Sequence, residues 1–384
     1  MDARAGIFVT QPGGYKAFIP NPLPPSPPVR FDGKLQALLS EADRALARLD
    51  GITTVLPNPD LFIAMYVKKE ALLSSQIEGT QASLEGILAF EADLIPKENV
   101  NEIKEVINYI KALNYGMDRL KELPMSLRLI KEIHRILLEE TRGAQRNPGE
   151  FRRSQNWIGP PGATINESIF IPPPSDMVTP AMGELEKFFH KKTNIPPLVK
   201  IALIHAQFET IHPFLDGNGR VGRLLITFYL FWEGILSKPL LYLSFYLKKN
   251  RAEYYDLLMK VRLKGAWEDW IKFFLKAISE TSEEAAKTAH DIIRLKEEII
   301  TELHKKSMAS IYGVKLVDLL FETPLISVKD VSGKLNISKE GGNELVKRFE
   351  KIGILKEITA KQRYKKYSFK RYIDIIARGT KNES

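Results

Sequence analysis

The sequence predicts a mainly α-helical protein that carries one β-hairpin and ends in a winged helix. Apolar residues recur at helical spacing from about residue 32 to residue 305. Two short β-prone runs flank a Gly/Pro turn between residues 156 and 171, which is typical of a hairpin. After about residue 307, three short helical patterns precede residues that alternate between apolar and polar around a basic tip, as the strands of a wing do.

The order of these patterns divides the chain into four segments. Residues 1–60 form a Pro/Gly-rich extended arm and a first helix that packs on the core. Residues 61–278 form the main helical body, and residues 279–306 form a charged amphipathic connector helix. Residues 307–376 form the winged helix.

Composition excludes several classes of protein. The chain has 384 residues, no Cys and a formal net charge of +9. Without Cys there are no disulfides and no thiolate metal sites, and we expect a cytoplasmic protein. The most hydrophobic stretch, residues 224–247, contains a Glu-Gly pair at 233–234 and a Lys-Pro pair at 238–239. Because charges and a Pro–Gly break near the centre of a membrane span are costly, we expect two buried elements and no membrane role.

The most informative feature is the run HPFLDGNGRVGR at residues 212–223. Apolar residues on both sides (IALIHAQFETI before it and LLITFYLF after it) predict a helix, a tight loop and a second helix, with Gly217 and Gly219 in the loop. A glycine-rich loop at a helix N-terminus points backbone N–H groups and the positive end of the helix dipole at an anion. Arg220 and Arg223 add charged forks that suit phosphate oxygens.

Two further side chains of the run carry chemistry. Asp216 offers a hard oxygen ligand for Mg²⁺, and His212 is a titratable base beside the anion. The run resembles, at every specified position, the signature of Fic-domain proteins, His-x-Phe-x-Asp/Glu-Gly-Asn-Gly-Arg-x-x-Arg. The resemblance implies a Fic-type helical core with a β-hairpin flap. It also implies a protein adenylyltransferase, which moves AMP from ATP to a Ser, Thr or Tyr hydroxyl of a target protein or of itself.

The same resemblance assigns roles to the residues of the run. His212 would be the general base for the hydroxyl, and Asp216 would hold Mg²⁺ between the α- and β-phosphates. Phe214 would anchor the loop in the core. The residues implied in ATP binding are Gly217, Asn218, Gly219, Arg220, Val221, Gly222 and Arg223. Among them the loop amides would donate to the α-phosphate, and the two arginines would clamp the β- and γ-phosphates.

A second motif lies upstream, in a segment with helical apolar spacing (NPDLFIAMYVKKEALLSSQIEGT). Ser74 and Glu78 are four residues apart and share a helix face, and Gly79 is placed to end the helix. On its own the segment is typical of a capped amphipathic helix. Beside the first motif it resembles the family's inhibitory signature, Ser/Thr-x-x-x-Glu-Gly/Asn. The resemblance implies that Glu78 pairs with Arg223, occupies the place of the γ-phosphate and misorients bound ATP.

Two other features concern the substrates. The predicted hairpin near Asn156–Ile171 matches in position the flap that family members lay over the active site, where an exposed strand edge would dock a segment of the target protein. The alternative is that this hairpin is only a surface loop without a function. The aromatic stretch LSFYLKKNRAEYYDLL follows the motif, and the resemblance makes Tyr254 the candidate for the adenine pocket. Aromatic residues at helical spacing are also typical of a core.

The predicted winged helix is basic. Residues 339–371 contain 11 Lys and Arg and 4 Glu, without Asp. A basic helix-turn-helix is typical of phosphate binding, which makes duplex DNA an expected partner. Docking of a protein, or dimerisation, through the same module is the alternative, and the resemblance also implies a homodimer.

Three other functions remain open at this stage. The first is removal of AMP, in which Glu78 would position a water molecule. The second is transfer from another nucleotide diphosphate, such as UTP or CDP-choline. The third is a DNA-binding regulator whose helical body only senses nucleotide. The intact His212 argues against the third function, because a sensor needs no general base.

Overall fold

The computed structural model describes residues 4–55, 59–160, 162–359 and 364–380. Its helices are α1 (Gly33–Val55), α2 (Pro59–Ile77), α3 (Leu84–Glu91), α4 (Val100–Arg119), α5 (Leu127–Leu137), α6 (Ser175–His190), α7 (Pro197–Ile211), α8 (Asn218–Trp232), α9 (Ser244–Lys249), α10 (Arg251–Lys264), α11 (Trp267–Lys305), α12 (Ile311–Glu322), α13 (Val328–Leu335), α14 (Lys339–Lys351) and α15 (Lys370–Ile376). Its strands are β1 (Gly6–Thr10), β2 (Lys16–Pro20), β3 (Leu325–Ser327), β4 (Lys356–Glu357) and β5 (Lys366–Ser368). The predicted mainly α-helical class is confirmed.

The centre of the fold is a pair of buried helices, α7 and α8. Every residue of α7 from Leu198 to Ile211 is buried, and so is α8 from Arg220 to Leu230. A helix that is buried on all sides requires neighbouring elements on every face. Helices α6, α10 and α11 pack on α7, while α2, α4 and α5 pack on α8. The loop between the two helices, residues 212–217, is therefore fixed at both ends by the core.

Helix α11 joins the main body to the C-terminal elements. It has 39 residues, which corresponds to a length of about 58 Å at 1.5 Å per residue. The expected connector, residues 279–306, is the second part of this helix and has a buried face of its own. The apolar residues of that face are Ala285, Ala289, Ile292, Leu295, Ile299 and Leu303. The connector is thus part of the core and not a free linker.

The N-terminal arm contains a hairpin that the sequence analysis did not predict. Strands β1 and β2 pair antiparallel, and their β-prone runs GIFVT and KAFIP flank a Pro-Gly-Gly turn. From residue 21 to residue 32 the chain runs without helix or strand, as expected for a Pro-rich arm. Phe18 fixes the hairpin on the body, since its backbone N–H donates to the carbonyl of Ile171 at 2.9 Å.

The predicted hairpin at residues 156–171 is shorter than expected. Among its described residues, Ile158 and Phe170 alone pair as strand residues, through an antiparallel bridge. Prolines at 160 and 172–174 have no N–H to donate, so a longer ladder cannot form. The bridge continues the N-terminal hairpin, because β2 contacts Ile171 on the other side. The segment is therefore a short antiparallel loop that β2 extends, and we call it the flap.

The C-terminal elements have the order expected of a winged helix. Helix α12, β3, α13 and α14 are followed by β4 and β5, and the strands pair antiparallel in the order β3-β5-β4. A capping box of Ser327 and Asp330 begins α13. Asn336, in left-handed conformation with φ 53°, ends α13 and starts the turn into α14. The predicted basic wing tip, residues 360–363, lies outside the described residues.

A last helix, α15, brings the C-terminal segment onto α2. It packs against both α2 and α11. Gln76, near the end of α2, donates from Nε2 to the carbonyls of Ala82 at 3.1 Å and Thr380 at 3.2 Å, and its Oε1 accepts from Lys248 Nζ at 2.7 Å. The helix that carries Ser74 is thus held by α9 and by the C-terminal segment.

The hydrophobic stretch 224–247 divides into most of α8, a connecting loop and the start of α9, as expected. In the part of the chain that the structure describes, every helix is too short or too polar to span a membrane.

Candidate active site

The loop between α7 and α8 has a constrained backbone. His212 ends α7 in the left-handed region (φ 50°, ψ 61°), and Gly217 precedes α8 with φ 76°. Left-handed backbone suits glycine but costs other residues about 1–2 kcal/mol. Asn218 stabilises the turn, because its buried amide accepts from the N–H of Phe214 at 2.9 Å and donates to the carbonyl of that residue at 2.8 Å. The Asn218 side chain therefore shapes the loop, which is a role that the sequence did not indicate.

Two residues at and just before the start of the flap hold His212 from outside the loop. Arg152 is 2% exposed and donates to the carbonyls of His212 at 3.0 Å and Pro173 at 2.5 Å. Asn156 donates from Nδ2 to the carbonyls of His212 at 3.2 Å and Phe214 at 2.9 Å. Burial lowers the pKa of Arg152 to about 10, so the side chain keeps its charge at neutral pH. The sequence analysis missed the role of both side chains; the one signal was the polar run RRSQN, which leads into the segment expected to form the hairpin.

A buried histidine on α5 supports the loop from another side. The His134 ring stacks on Phe214 with 3.7 Å between ring centroids and 9° between planes. Its Nδ1 accepts from the N–H of Gly149 at 2.8 Å, so Nε2 carries the proton and donates to the carbonyl of Asp216 at 3.0 Å. Burial lowers the pKa of His134 to about 4, and the ring is neutral. Sequence reasoning missed His134, because no local pattern separates it from any other core histidine.

The His212 imidazole is partly open to solvent, with its side chain 21% exposed. Burial and the nearby charges of Arg262 and Arg152 lower the pKa of His212 to about 3. The ring is therefore neutral near pH 7, and one of its nitrogens has a lone pair available. Nδ1 is buried without a hydrogen-bond partner among the described residues, and Oε2 of Glu209 lies 4.0 Å from it.

The N-terminus of α8 presents unused donors at the other end of the loop. The N–H of Gly217 is used within the loop, where it donates to Asp216 Oδ1 at 2.6 Å. The N–H groups of Asn218, Gly219 and Arg220 have no acceptor within the described residues, because they belong to the first turn of the helix. These donors and the helix dipole together favour an anion at this position.

Arg223 is engaged by the two residues of the upstream motif. Its Nη2 donates to Glu78 Oε1 at 2.7 Å and to the Ser74 carbonyl at 2.9 Å, and its Nε donates to Ser74 Oγ at 2.7 Å. The Arg223 side chain is 2% exposed and that of Glu78 is 32% exposed. Burial raises the pKa of Glu78, but the charge and hydrogen bond of Arg223 outweigh it, so the pKa lies below its usual value. The structure thus brings Glu78 and Ser74 onto Arg223, as expected.

Arg220 is buried beside two carboxylates without a full set of hydrogen bonds. Its Nη1 lies 3.7 Å from Glu105 Oε2 and its Nη2 lies 3.8 Å from Asp216 Oδ1, which is too far for good hydrogen bonds. Nε and Nη1 have no hydrogen-bond partner in the described part of the chain. Buried donors without an acceptor are costly, so Arg220 is a candidate to bind a phosphate. The Asp216 side chain is 39% exposed and accessible to a metal ion.

Two glycines of the run make room for carboxylates. A Cβ at Gly219 would lie 2.2 Å from Glu78 Oε1, and a Cβ at Gly222 would lie 2.3 Å from Glu209 Oε1. Gly222 therefore faces α7, and Val221 is fully buried with its N–H bonded inside the first turn of α8. Neither residue is exposed beside the loop, and a contact of either residue with ATP stays a prediction. Glu209 is buried, burial raises its pKa to about 7, and the sequence analysis did not identify it.

The aromatic residue expected at the adenine pocket lies in the core. Tyr254 is 1% exposed, and its hydroxyl is 3.0 Å from Nε2 of the buried His205. The prediction that Tyr254 lines an open pocket is therefore not supported by the structure, because helical spacing places this ring on the inner face of α10. The next residue, Tyr255, is 39% exposed. Burial and the charge of Glu78 raise the pKa of Tyr255.

The basic excess of the C-terminal elements is partly neutralised within the molecule. Five of the basic residues between 339 and 371 form ion pairs: Arg348 with Glu344, Lys365 with Glu357, Lys366 with Asp330, Lys370 with Asp374, and Arg371 with Glu298 and Glu302. The exposed lysines of α14 are Lys339, Lys347 and Lys351. The positive charge available to duplex DNA is thus smaller than the sequence indicates, and DNA binding stays a prediction.

Comparison with known proteins agrees with this geometry. Residues 36–118 match the Fic/DOC family N-terminal region, and residues 124–230 match the Fic/DOC family. Curated relatives include "Protein adenylyltransferase Fic" of Drosophila grimshawi and of Drosophila virilis, each 29% identical over 190 residues. These matches span 48% of this chain and 35% of each relative, so the chain covers about a third of their length.

Solved structures share the fold. A Fic family protein from Desulfovibrio desulfuricans G20 aligns with a TM-score of 0.61 and 21% identity, over 89% of this chain and 97% of that protein. Fic-1 (residues 134–508) from C. elegans aligns with a TM-score of 0.50 and 21% identity, over 68% of this chain and 73% of that chain. The two family matches cover α2, which carries Ser74 and leads to Glu78, and the run that begins at His212. This chain is therefore a Fic-domain protein.

Proposed function

We propose that this protein is an adenylyltransferase that moves AMP from ATP to the hydroxyl group of a Ser, Thr or Tyr side chain in a target protein. One observation carries the proposal. A single loop has a neutral imidazole, His212, at one end and a helix N-terminus with unused N–H donors at the other. Two buried arginines follow on the same helix. A base, an anion site and a phosphate clamp are the parts that this transfer requires.

The reaction follows from these positions. The neutral His212 ring takes the proton of the target hydroxyl, and the hydroxyl oxygen forms a bond to the α-phosphorus of ATP. The bond between that phosphorus and the pyrophosphate oxygen breaks, and pyrophosphate leaves. The N–H groups at the start of α8 stabilise the charge on the α-phosphate, while Arg220 offers its unpaired donors to the other phosphates. Because such transfers depend on alignment and charge stabilisation, a rigid loop held by Arg152 and Asn156 suits them.

The donors at this site fit Mg²⁺ that arrives with the substrate phosphates. Within the described residues, no three His, Cys, Asp or Glu side chains come together as a metal site. Asp216 is a single, partly exposed carboxylate, and Mg²⁺ commonly binds through one or two carboxylates while phosphates and water complete its shell. When bound, the ion would neutralise charge on the phosphates. Asp216 is the residue that would hold it.

We also propose that Glu78 restrains the enzyme. Glu78 and the γ-phosphate of ATP would compete for one guanidinium, that of Arg223, because Nη2 of this side chain already donates to the Glu78 carboxylate. Ser74 holds the same guanidinium from the other side. While Glu78 occupies it, ATP lacks one phosphate contact and its α-phosphate is not aligned with the hydroxyl.

The flap offers a place for the target. The backbone of Ile158 pairs with Phe170, so the neighbouring backbone groups at Trp157 and Gly159 point to the opposite edge. That edge is accessible, and exposed apolar side chains lie beside it: Trp157 is 42% exposed and Ile169 is 62% exposed. The other edge is covered by β2. An extended segment of the target would add as a strand at the Trp157 edge, next to His212.

The test uses ATP labelled on the α-phosphate, Mg²⁺ and cell lysate. We expect weak labelling of protein by the wild type, strong labelling by Glu78→Gly, and none by the double variant Glu78→Gly/His212→Ala. ATP labelled on the γ-phosphate serves as a control: kinases of the lysate use this label, but its level should not differ between Glu78→Gly and the double variant. Absence of label from ATP, UTP and CDP-choline in every variant would favour a nucleotide sensor. Loss of AMP from modified protein that requires Glu78 would favour the removal reaction.

A further inference from the structure

Two buried polar atoms near the catalytic loop have no hydrogen-bond partner among the described residues. They are Nδ1 of His212 and Oε1 of Glu209, and Oε1 lies against Gly222. The second oxygen of Glu209, Oε2, lies 4.0 Å from His212 Nδ1. The two residues are three apart at the end of α7, so their side chains share one face of the last turn. A shift of about 1 Å would bring the pair to hydrogen-bond distance.

The fold makes space for this carboxylate at a position where side chains are otherwise excluded. A Cβ at Gly222 would lie 2.3 Å from Glu209 Oε1 and 3.3 Å from Phe208, so any larger residue there would displace the carboxylate from the contact of α7 and α8. Burying a carboxyl group costs free energy unless it is paired. Glu209 is 6% exposed and lies within the core of the site. A structural role alone leaves its unpaired oxygen unexplained.

We propose that Glu209 is a positioning residue for His212: its carboxylate holds the proton on Nδ1, so that Nε2 presents its lone pair to the target hydroxyl. This inference rests on the transferase function proposed above. When Nε2 takes the hydroxyl proton, the ring becomes a cation, and the carboxylate beside Nδ1 stabilises it. No proton passes to Glu209. The arrangement follows the logic by which a buried carboxylate fixes the tautomer of a catalytic histidine.

The charged groups that act on Glu209 lie on α8, on α10 and after α2. Arg223 lies on α8, Arg262 on α10, and Glu78 after α2; Tyr254 of α10 is also close. Arg262 Nη2 donates to the Glu209 carbonyl at 2.9 Å. Burial raises the pKa of Glu209 to about 7, Arg223 lowers it, Glu78 raises it and Arg262 lowers it. The carboxylate form that the proposal requires is therefore gained as pH rises through neutrality.

This gives a pH dependence that His212 itself cannot produce. The pKa of His212 is about 3, so the ring stays neutral across the range of an ordinary assay. We expect the rate of transfer by Glu78→Gly to fall as pH drops below neutrality, as Glu209 takes up a proton. In this variant the fall should begin at lower pH than in the wild type, because the charge of Glu78 helps to raise the pKa of Glu209.

The test places Glu209→Gln in the Glu78→Gly background. We expect kcat to fall roughly 10–100-fold, less than the 10²–10⁴-fold that loss of a general base costs. KM for ATP should change little, and the fall of activity at acid pH should disappear. The matched control is Glu70→Gln, which removes another buried carboxyl whose pKa burial raises to about 7 but which contacts Tyr109 and Ser244. The control should keep the acid fall.

Two kinetic results would overturn the proposal. One is an unchanged pH profile in Glu209→Gln. The other is loss of the fall of activity at acid pH in Glu70→Gln instead of in Glu209→Gln. If Glu209→Gln does not fold, Gly222→Ala is the second variant, because its Cβ displaces the carboxylate and should remove the acid fall in the same way.

A measurement independent of activity separates this inference from the transferase proposal. In protein with ¹⁵N-labelled histidine, the ring signal that is lost in His212→Ala identifies His212 among the six histidines. We expect the Nδ1–H tautomer in the wild type and a mixture of tautomers in Glu209→Gln. The same tautomer in both proteins would refute the positioning role, whatever the enzyme transfers. If the tautomer differs between the wild type and Glu209→Gln but no AMP is transferred, this inference stands and the transferase proposal is refuted.

Discussion

The sharpest prediction concerns the ion pair of Glu78 with Arg223. Glu78→Gly removes the carboxylate, whereas the two hydrogen bonds from Arg223 to Ser74 remain. The guanidinium should therefore stay in place and become available to the γ-phosphate. We expect faster transfer of AMP and, at the same time, a less stable protein in the absence of ATP, because the charge of a buried side chain loses its partner.

The structure sets the size of both effects. Loss of one partner of a fully buried ion pair costs about 3–5 kcal/mol, but the Glu78 side chain is 32% exposed, so about 2 kcal/mol is the better figure. If this free energy of about 2 kcal/mol favours the state in which Glu78 occupies Arg223, removal of the Glu78 carboxylate should raise the rate of transfer about 30-fold. The conversion uses about 1.4 kcal/mol for each factor of ten. The melting temperature of the ATP-free protein should fall by about 2–4 °C or slightly more.

The assay combines initial rates of AMP transfer with thermal unfolding, each with and without ATP. Saturating ATP should raise the melting temperature more in Glu78→Gly than in the wild type, because its affinity for ATP is higher. Glu78→Gln is the matched variant, since it keeps an oxygen for Arg223 but loses the charge, and it should lie between the two proteins. Arg223→Ala and the double variant with Glu78→Gly should be equally weak. A Glu78→Gly protein that is no faster than the wild type would refute the competition for Arg223.

Four further results are expected. His212→Ala should abolish transfer by at least about 10²-fold while calorimetry shows little change in ATP affinity, because it removes the base and no phosphate donor. Asn218→Ala should lower the free energy of unfolding by about 1–3 kcal/mol in denaturant titrations, since the buried N–H and carbonyl of Phe214 lose their partners. Gln76→Ala should raise wild-type transfer a few-fold and leave Glu78→Gly unchanged, because it loosens the end of α2. If the three exposed lysines of α14 contact duplex DNA, the logarithm of affinity should fall with that of salt concentration with a slope of about −3; binding that ignores salt would favour a protein partner.

The contact that the sequence predicted best joins residues far apart in the chain. Glu78 and Arg223 are separated by 145 positions, yet the structure places their side chains 2.7 Å apart. The prediction was possible because each residue belongs to a motif with fixed spacing, and the resemblance connects the two motifs. Spacing alone gives the helix face of each residue but not which faces meet.

Other site residues were beyond sequence reasoning because they act through backbone geometry. Arg152 and Asn156 donate hydrogen bonds to the backbone carbonyl of His212, and a residue of any type at position 212 has that carbonyl. In the sequence, Glu209 is one of several polar residues of α7. Its proposed role depends on the space that Gly222 leaves for its carboxylate. The error at Tyr254 has a simpler cause. Adjacent residues on a helix point about 100° apart, so the pattern of two tyrosines in α10 could not show which ring faces inward.

The left-handed backbone of His212 has a consequence for the evolution of the protein. Glycine adopts this conformation without the steric cost that alanine or histidine meets there, about 1–2 kcal/mol. We therefore expect His212→Gly to be inactive but more heat-stable than His212→Ala, which thermal unfolding of the two variants would show. If His212 is the general base, as proposed, it stands where the chain itself favours glycine, so selection for activity and selection for stability oppose each other at this position. A lineage released from the need for catalysis would gain a more stable loop by replacing His212 with glycine, and the residues of the proposed nucleotide site would stay unchanged.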